Sequence, residues 1–86
     1  MKPYVGDETA EAIVLGQLAE LAHNEAGVSP SDIDRHMLQF GDESMSLRDV
    51  TDAVARLVER GEAERVGPVR YRITEKGRAR LRGEAK

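Results

Sequence analysis

Cysteine and tryptophan are absent from this chain of 86 residues, and only Tyr4, Phe40 and Tyr71 are aromatic. Without cysteine there is no disulfide and no thiolate metal site, so stability has to come from packing alone. With so few rings, the core has to be assembled from Leu, Val, Ile, Met and Ala. No apolar run approaches the length of a membrane span, and the first residues lack the basic and apolar regions of a signal peptide. A cytoplasmic protein without a membrane partner is the expectation. His23 and His36 are the only histidines and have no ligand cluster around them. Phosphate-binding glycine loops are missing, and the acidic pair Asp42 and Glu43 reads as a solvated loop rather than a catalytic dyad. No enzyme, metal or cofactor is expected.

Charge, by contrast, is plentiful and unevenly placed. Charged residues make up 34% of the chain and apolar ones 40%, which suits one small domain with a single modest core. Residues 1–61 carry 5 basic and 12 acidic side chains, whereas residues 62–86 carry 8 basic and 4 acidic. An anionic partner at the basic end would explain the asymmetry. Ten of the 13 basic residues are arginine. That bias suits phosphate or carboxylate recognition; a GC-rich genome or a halophile's acidic surface produces a similar composition.

Three helices are predicted first. In "GDETAEAIVLGQLAELAHNEAG", Asp7 can cap, Glu8 and Glu11 lie in the first turns, and Gly27 supplies the stop. Val14, Leu15, Leu18, Leu21 and Ala22 form its apolar stripe, with Ile13 well off it as an exposed residue or a subunit contact. In "SPSDIDRHMLQFG", Ser29 is the N-cap, Pro30 takes the first helical position and Asp32 the capping-box position. Ile33, Met37 and Phe40 follow at i, i+4 and i+7, Gly41 ends the helix, and "GDES" is a polar connection. In "MSLRDVTDAVARLVERG", Ser46 and Asp49 have capping-box spacing, with Met45 and Val50 placed as a hydrophobic staple. Leu47, Val50, Val54, Leu57 and Val58 form one apolar face, and Gly61 stops the helix. The opposite face holds Arg48, Asp49, Asp52, Ala55, Arg56 and Glu59.

The remainder reads as a hairpin and a last short helix. "EAERV" and "VRYRI" flank the turn-forming pair Gly67-Pro68. Alternation puts Val69, Tyr71 and Ile73 on one face of the second strand and Arg70 and Arg72 on the other, where Arg65 can join them. Thr74 can then cap "EKGRARLRG", whose few apolar residues are Ala79 and Leu81. Its basic residues Lys76, Arg78, Arg80 and Arg82 do not share one face. They either pair with acids or meet phosphate.

"SPSDIDRHM", "SLRDVTDAVARLVERGEAERV" and "RYRITEKGRARL", in that order, resemble winged helix-turn-helix transcription regulators of the MarR-like kind. The ending "YRITEKGRARL" is similar to the Y-x-(L/I)-T-x-x-G-x-x-x-L close common in such regulators, especially short repressor-like ones of haloarchaea and their phages. The resemblance runs from about Thr9 to Leu81. It implies a mostly helical α+β fold: three helices in a winged helix-turn-helix, a two-stranded hairpin as the wing, and a short C-terminal helix. The whole of 1–86 would then be one domain, ordered over about 7–82. Two positions depart from the pattern. Glu62 stands where an apolar residue is usual, which implies a short or frayed first wing strand, and "GDES" is slightly long for a tight helix-turn-helix.

The resemblance further implies double-stranded DNA as partner, with helix 46–60 in the major groove and the wing, 62–73, on the backbone or minor groove. Ser46 and the first-turn amides would then hold a phosphate. Arg48 would reach guanine, Thr51 a thymine methyl, and Asp49 and Asp52 cytosine N4 or the arginines themselves. Arg56 would meet phosphate, and Arg65, Arg70 and Arg72 the minor groove or the backbone. A homodimer on a palindromic site is expected from the family, with Tyr4, Val5, Ile13 and the termini as its contacts. Two plainer readings stand beside these. Arg48, Asp52 and Arg56, spaced i, i+4, i+8, can be a solvated ion-pair ladder, and the hairpin arginines can be a charged edge that discourages strand pairing. The alternative function is a winged helix used for protein–protein contact, without DNA binding.

Overall fold

The computed structural model describes residues 7–39 and 45–83. Four helices and one hairpin follow in the order α1 (Asp7–Glu20), α2 (Pro30–Gln39), α3 (Leu47–Glu59), β1 (Ala63–Gly67), β2 (Arg70–Ile73) and α4 (Glu75–Leu81). The mostly helical α+β arrangement expected from the sequence is present. Aliphatic side chains from every layer meet in one core: Val14, Leu15 and Leu18 of α1, Ile33 and Met37 of α2, Val50, Val54 and Leu57 of α3, and Ala63 and Ile73 of the hairpin. Each fully buried Leu or Ile contributes about 2 kcal/mol relative to exposure, so this cluster supplies the stability that disulfides do not.

Local signals set the helix starts. Ser29 and Asp32 form a reciprocal box in front of α2: the Ser29 amide donates to Asp32 Oδ2 at 3.1 Å, and the Asp32 amide to Ser29 Oγ at 3.1 Å. Ser46 and Asp49 repeat this in front of α3 at 3.1 and 3.2 Å. Met45 and Val50, the expected staple pair, are both buried. Asp7 is the first helical residue of α1 rather than its flank; its side chain lies outside the described residues.

Helix ends depart further from expectation. The α1 helix stops at Glu20, so Gly27 is not its terminator. Gly27 instead has φ +89°, and a Cβ there would lie 2.5 Å from Val66 Cγ2. It lets the connection run close beneath the hairpin. Gly61, with φ +77°, does end α3 as predicted. Ile13 is neither isolated nor exposed, because it packs, half-buried, against the core. Phe40, Gly41 and the "GDES" connection, like Tyr4 and Val5, lie outside the described residues.

The hairpin is antiparallel, pairing Ala63 with Ile73, Glu64 with Arg72, Arg65 with Tyr71 and Gly67 with Arg70. Val66 is an extra residue on β1, a bulge that shifts the register. The turn residues are Pro68 and Val69, so Val69 leaves the strand and stands 61% exposed instead of anchoring it. Anchorage comes from Val28. Its amide donates to Tyr71 O at 2.8 Å and its carbonyl accepts from the Tyr71 amide at 2.9 Å. These two bonds fasten β2 to the residue just before the α2 cap.

Glu62 does not fray the hairpin. It is buried, and its carbonyl accepts from the Thr74 amide at 3.1 Å. Thr74 then caps α4 while its hydroxyl donates to Gly61 O at 2.6 Å. Gly77 sits in the first turn of α4 against that same strand. A Cβ there would fall 2.2 Å from Glu62 O and 2.8 Å from Ile73 Cγ1. The Thr-x-x-Gly pair is thus a cap followed by a close backbone approach. Leu81, one of the few apolar residues of α4, is exposed.

Candidate functional site

The N-termini of α2 and α3 and the tip of the hairpin open onto one cleft of about 320 Å³. Its walls include Ser29, Pro30, Leu47, Thr51, Val69 and Tyr71. The convergence follows from the Val28–Tyr71 bridge, which holds the hairpin beside the start of α2. Leu47 lies on the same helical stripe as Val54, two turns earlier, yet it is 45% exposed. Its position overhangs the core and faces the cleft, so the apolar face of α3 is one residue shorter than expected. The Thr51 hydroxyl donates to Leu47 O at 2.9 Å.

The predicted site residues of α3 divide into three groups. Ser46 and Asp49 are engaged with each other's backbone in the capping box, which gives Asp49 a local role. Arg48, Thr51 and Asp52 are exposed. Arg56 is not on the exposed face with them: it is half-buried, and its Nε donates to Glu11 Oε2 at 2.8 Å. Arg56 is thus drawn toward α1 instead of lying on one solvated face with Arg48 and Asp52.

Each hairpin arginine has an acceptor within the protein. Arg65 lies opposite Tyr71, on the other face from Arg70 and Arg72, so it does not join them. Its guanidinium turns back over the turn, donating to Gly67 O at 2.9 Å and Pro68 O at 2.8 Å. Arg70 donates to Gly27 O at 3.2 Å and lies 4.0 Å from Asp32 Oδ2. Arg72 pairs across the strands with Glu64 at 2.7 Å. The Ser29 backbone donor holds the Asp32 carboxyl below its ordinary value; burial opposes this, and the Ser29 hydroxyl, Arg35 and Arg70 add to the lowering.

A second polar cluster, not foreseen from the sequence, gathers at the base of the hairpin, the end away from its turn. Glu11 is 1% exposed at the centre of three arginines. Arg56 lies 2.8 Å from it, Arg80 3.3 Å and Arg60 3.4 Å. Arg80 also donates to buried Glu62 at 2.6 Å, linking α1, α3, the start of β1 and α4. Burial pushes the Glu11 carboxyl up, but the Arg56 and Arg80 hydrogen bonds and the Arg60 and Arg80 charges outweigh it and hold it below its ordinary value. Burial likewise works against the Arg80 charge, and Glu62 and Glu11 together raise its pKa. A signal was available for Glu11, which falls on the Val14–Leu15–Leu18 stripe.

Beyond Thr74, the remaining basic residues divide as well. Lys76 donates to Arg60 O at 2.7 Å and Arg82 pairs with Glu75 at 2.8 Å, while Arg78 is exposed. His36 is hydrogen-bonded to Gln17, and its Nδ1 lies 3.9 Å from Glu20. Among the described residues no group of three His, Cys, Asp or Glu side chains is placed to hold a metal ion. No helix there is long and apolar enough to cross a membrane. No protein-family profile, curated protein sequence or solved structure matches this chain.

Proposed function

We propose that this protein is a winged helix-turn-helix transcription regulator that binds double-stranded DNA, with α3 as recognition helix and the β1–β2 hairpin as wing. The observation that carries this reading is the Val28–Tyr71 bridge. It brings the hairpin tip and the capped N-termini of α2 and α3 to one surface. Helix N-termini attract phosphate through their unpaired amides and dipole. Arg48 is the side chain placed to reach a guanine edge, Asp52 a cytosine amino group and Thr51 a thymine methyl. Arg70 and Arg72 reach phosphate by exchanging their carbonyl and carboxylate partners for it, whereas Arg56 and Arg80 serve the fold. A homodimer on a palindromic site remains part of the proposal. Ile13, half-buried against the core, is the one proposed contact among the described residues.

Selection of bound duplexes from a random pool, followed by titration at several salt concentrations, tests this reading. A recovered consensus with two-fold symmetry and salt-sensitive binding supports it, and Arg48→Ala should lower affinity about 5- to 100-fold and relax one position of the consensus. Absence of binding to any duplex at low salt would reject it. A second reading, a module that binds another protein, has one specific observation in its favour: the hairpin arginines are satisfied internally while Leu47 and Val69 stand exposed beside them.

A further inference from the structure

We infer that buried Glu11 is a positioning residue for the recognition helix: through Arg56 and Arg60 it fixes the rotation of α3, and with it the direction in which Arg48 and Asp52 face. This inference rests on the DNA-binding reading above. Val50, Ala53, Val54 and Leu57 settle which face of α3 turns inward. Aliphatic burial is non-directional, however, and leaves the finer rotation to other groups. A charged hydrogen bond supplies that direction, because it prefers one distance and one angle. Arg56 and Arg60 stand one turn apart on α3 and reach the same carboxylate. Arg56 Nε donates to Glu11 Oε2 at 2.8 Å, and Arg60 Nη1 lies 3.4 Å from Oε1. Arg56 also continues the i, i+4, i+8 line that begins with Arg48 and Asp52, so a turn of the helix at Arg56 is passed along to both. Arg80 joins the same Glu11 carboxylate, at 3.3 Å, to Glu62, at 2.6 Å, on the residue before β1. One buried acid therefore sets α3 against α1 and against the root of the wing. Recognition groups have to be held within about 10–20° of their working direction, which is the scale such a clamp controls.

Two variants test it. Glu11→Gln keeps the shape of the side chain and removes its charge. Arg56→Gln opens the α3 end of the clamp and leaves Glu11 with Arg60 and Arg80. Each is titrated with the tightest duplex recovered by selection and with a scrambled duplex, at a temperature where circular dichroism shows the helix content of the wild type. Both variants should bind the selected duplex about 10-fold more weakly, as for the loss of one base contact. The scrambled duplex should be bound about as well as by the wild type, since that binding is electrostatic and independent of sequence. An unchanged ratio of the two affinities in either folded variant would overturn the inference and leave the DNA-binding reading standing. So would an Arg56→Gln salt dependence shallower by about 0.9 on both duplexes, the mark of a lost phosphate contact. If Glu11→Gln does not fold, Arg56→Gln decides alone. Failure of the wild type to bind any duplex would remove both readings.

Discussion

The base and the tip of the hairpin are built on opposite principles. At the base, Glu11 and Glu62 lie under three arginines and Gly77 touches the Glu62 carbonyl. Among the described residues, every buried side-chain nitrogen and oxygen has a partner. At the tip, two capped helix starts and a turn surround an open cleft rimmed by Leu47 and Val69. Arginine serves both ends in different ways. Arg80 and Arg56 neutralise buried acids and are part of the fold, whereas Arg48 lies exposed and Arg72 holds an exposed partner. A basic C-terminal third is therefore two populations, and its charge count alone overstates what is available to a ligand.

Substitutions should hurt the closed base and spare the open tip. The largest effect is expected at Gly77: Gly77→Ala drives a Cβ into the Glu62 carbonyl and should destabilise by about 3 kcal/mol or more, read as a lower urea midpoint. Glu11→Gln should cost about 2 kcal/mol at neutral pH, less than a fully dry pair because Arg60 and Arg56 remain partly in water. The Glu11 carboxyl is held below its ordinary value of 4.5 in the folded protein. Its contribution is then complete above that value and disappears as pH falls through the lower folded pKa. The gap between wild type and Glu11→Gln should narrow over that acid window in urea titrations at stepped pH.

Smaller changes sharpen the contrast. Ser46→Ala removes a capping-box hydroxyl and should lower stability by about 1 kcal/mol, with amide exchange faster in the first turn of α3. Gly16→Ala has nothing within 4 Å of its new Cβ and should raise the thermal midpoint through a gain of about 0.5–1 kcal/mol. Smallest of all, Leu47→Ala should alter the urea midpoint by less than about 0.5 kcal/mol. A loss at Leu47 as large as that at Gly77 would erase the distinction between the two ends.

Sequence by itself determined the elements, because their signals are short-range. The Ser29–Asp32 and Ser46–Asp49 boxes, the Thr74 cap and the Gly61 stop each lie within a few residues of what they control, and all are present. The aliphatic stripes of α1, α2 and α3 foretold most of the core for the same reason. Only tertiary structure decided which groups meet across the chain. Periodicity put Leu47 and Val69 with their apolar neighbours; no layer covers the first, and the Pro68–Val69 turn carries the second out of its strand. It put Arg56 in water, yet Glu11, 45 residues away, draws it inward. Gly27 looked like a helix stop and is the place where the hairpin crosses close to the connection. Burial and charge pairing depend on what stacks on a surface, and local spacing carries no record of that.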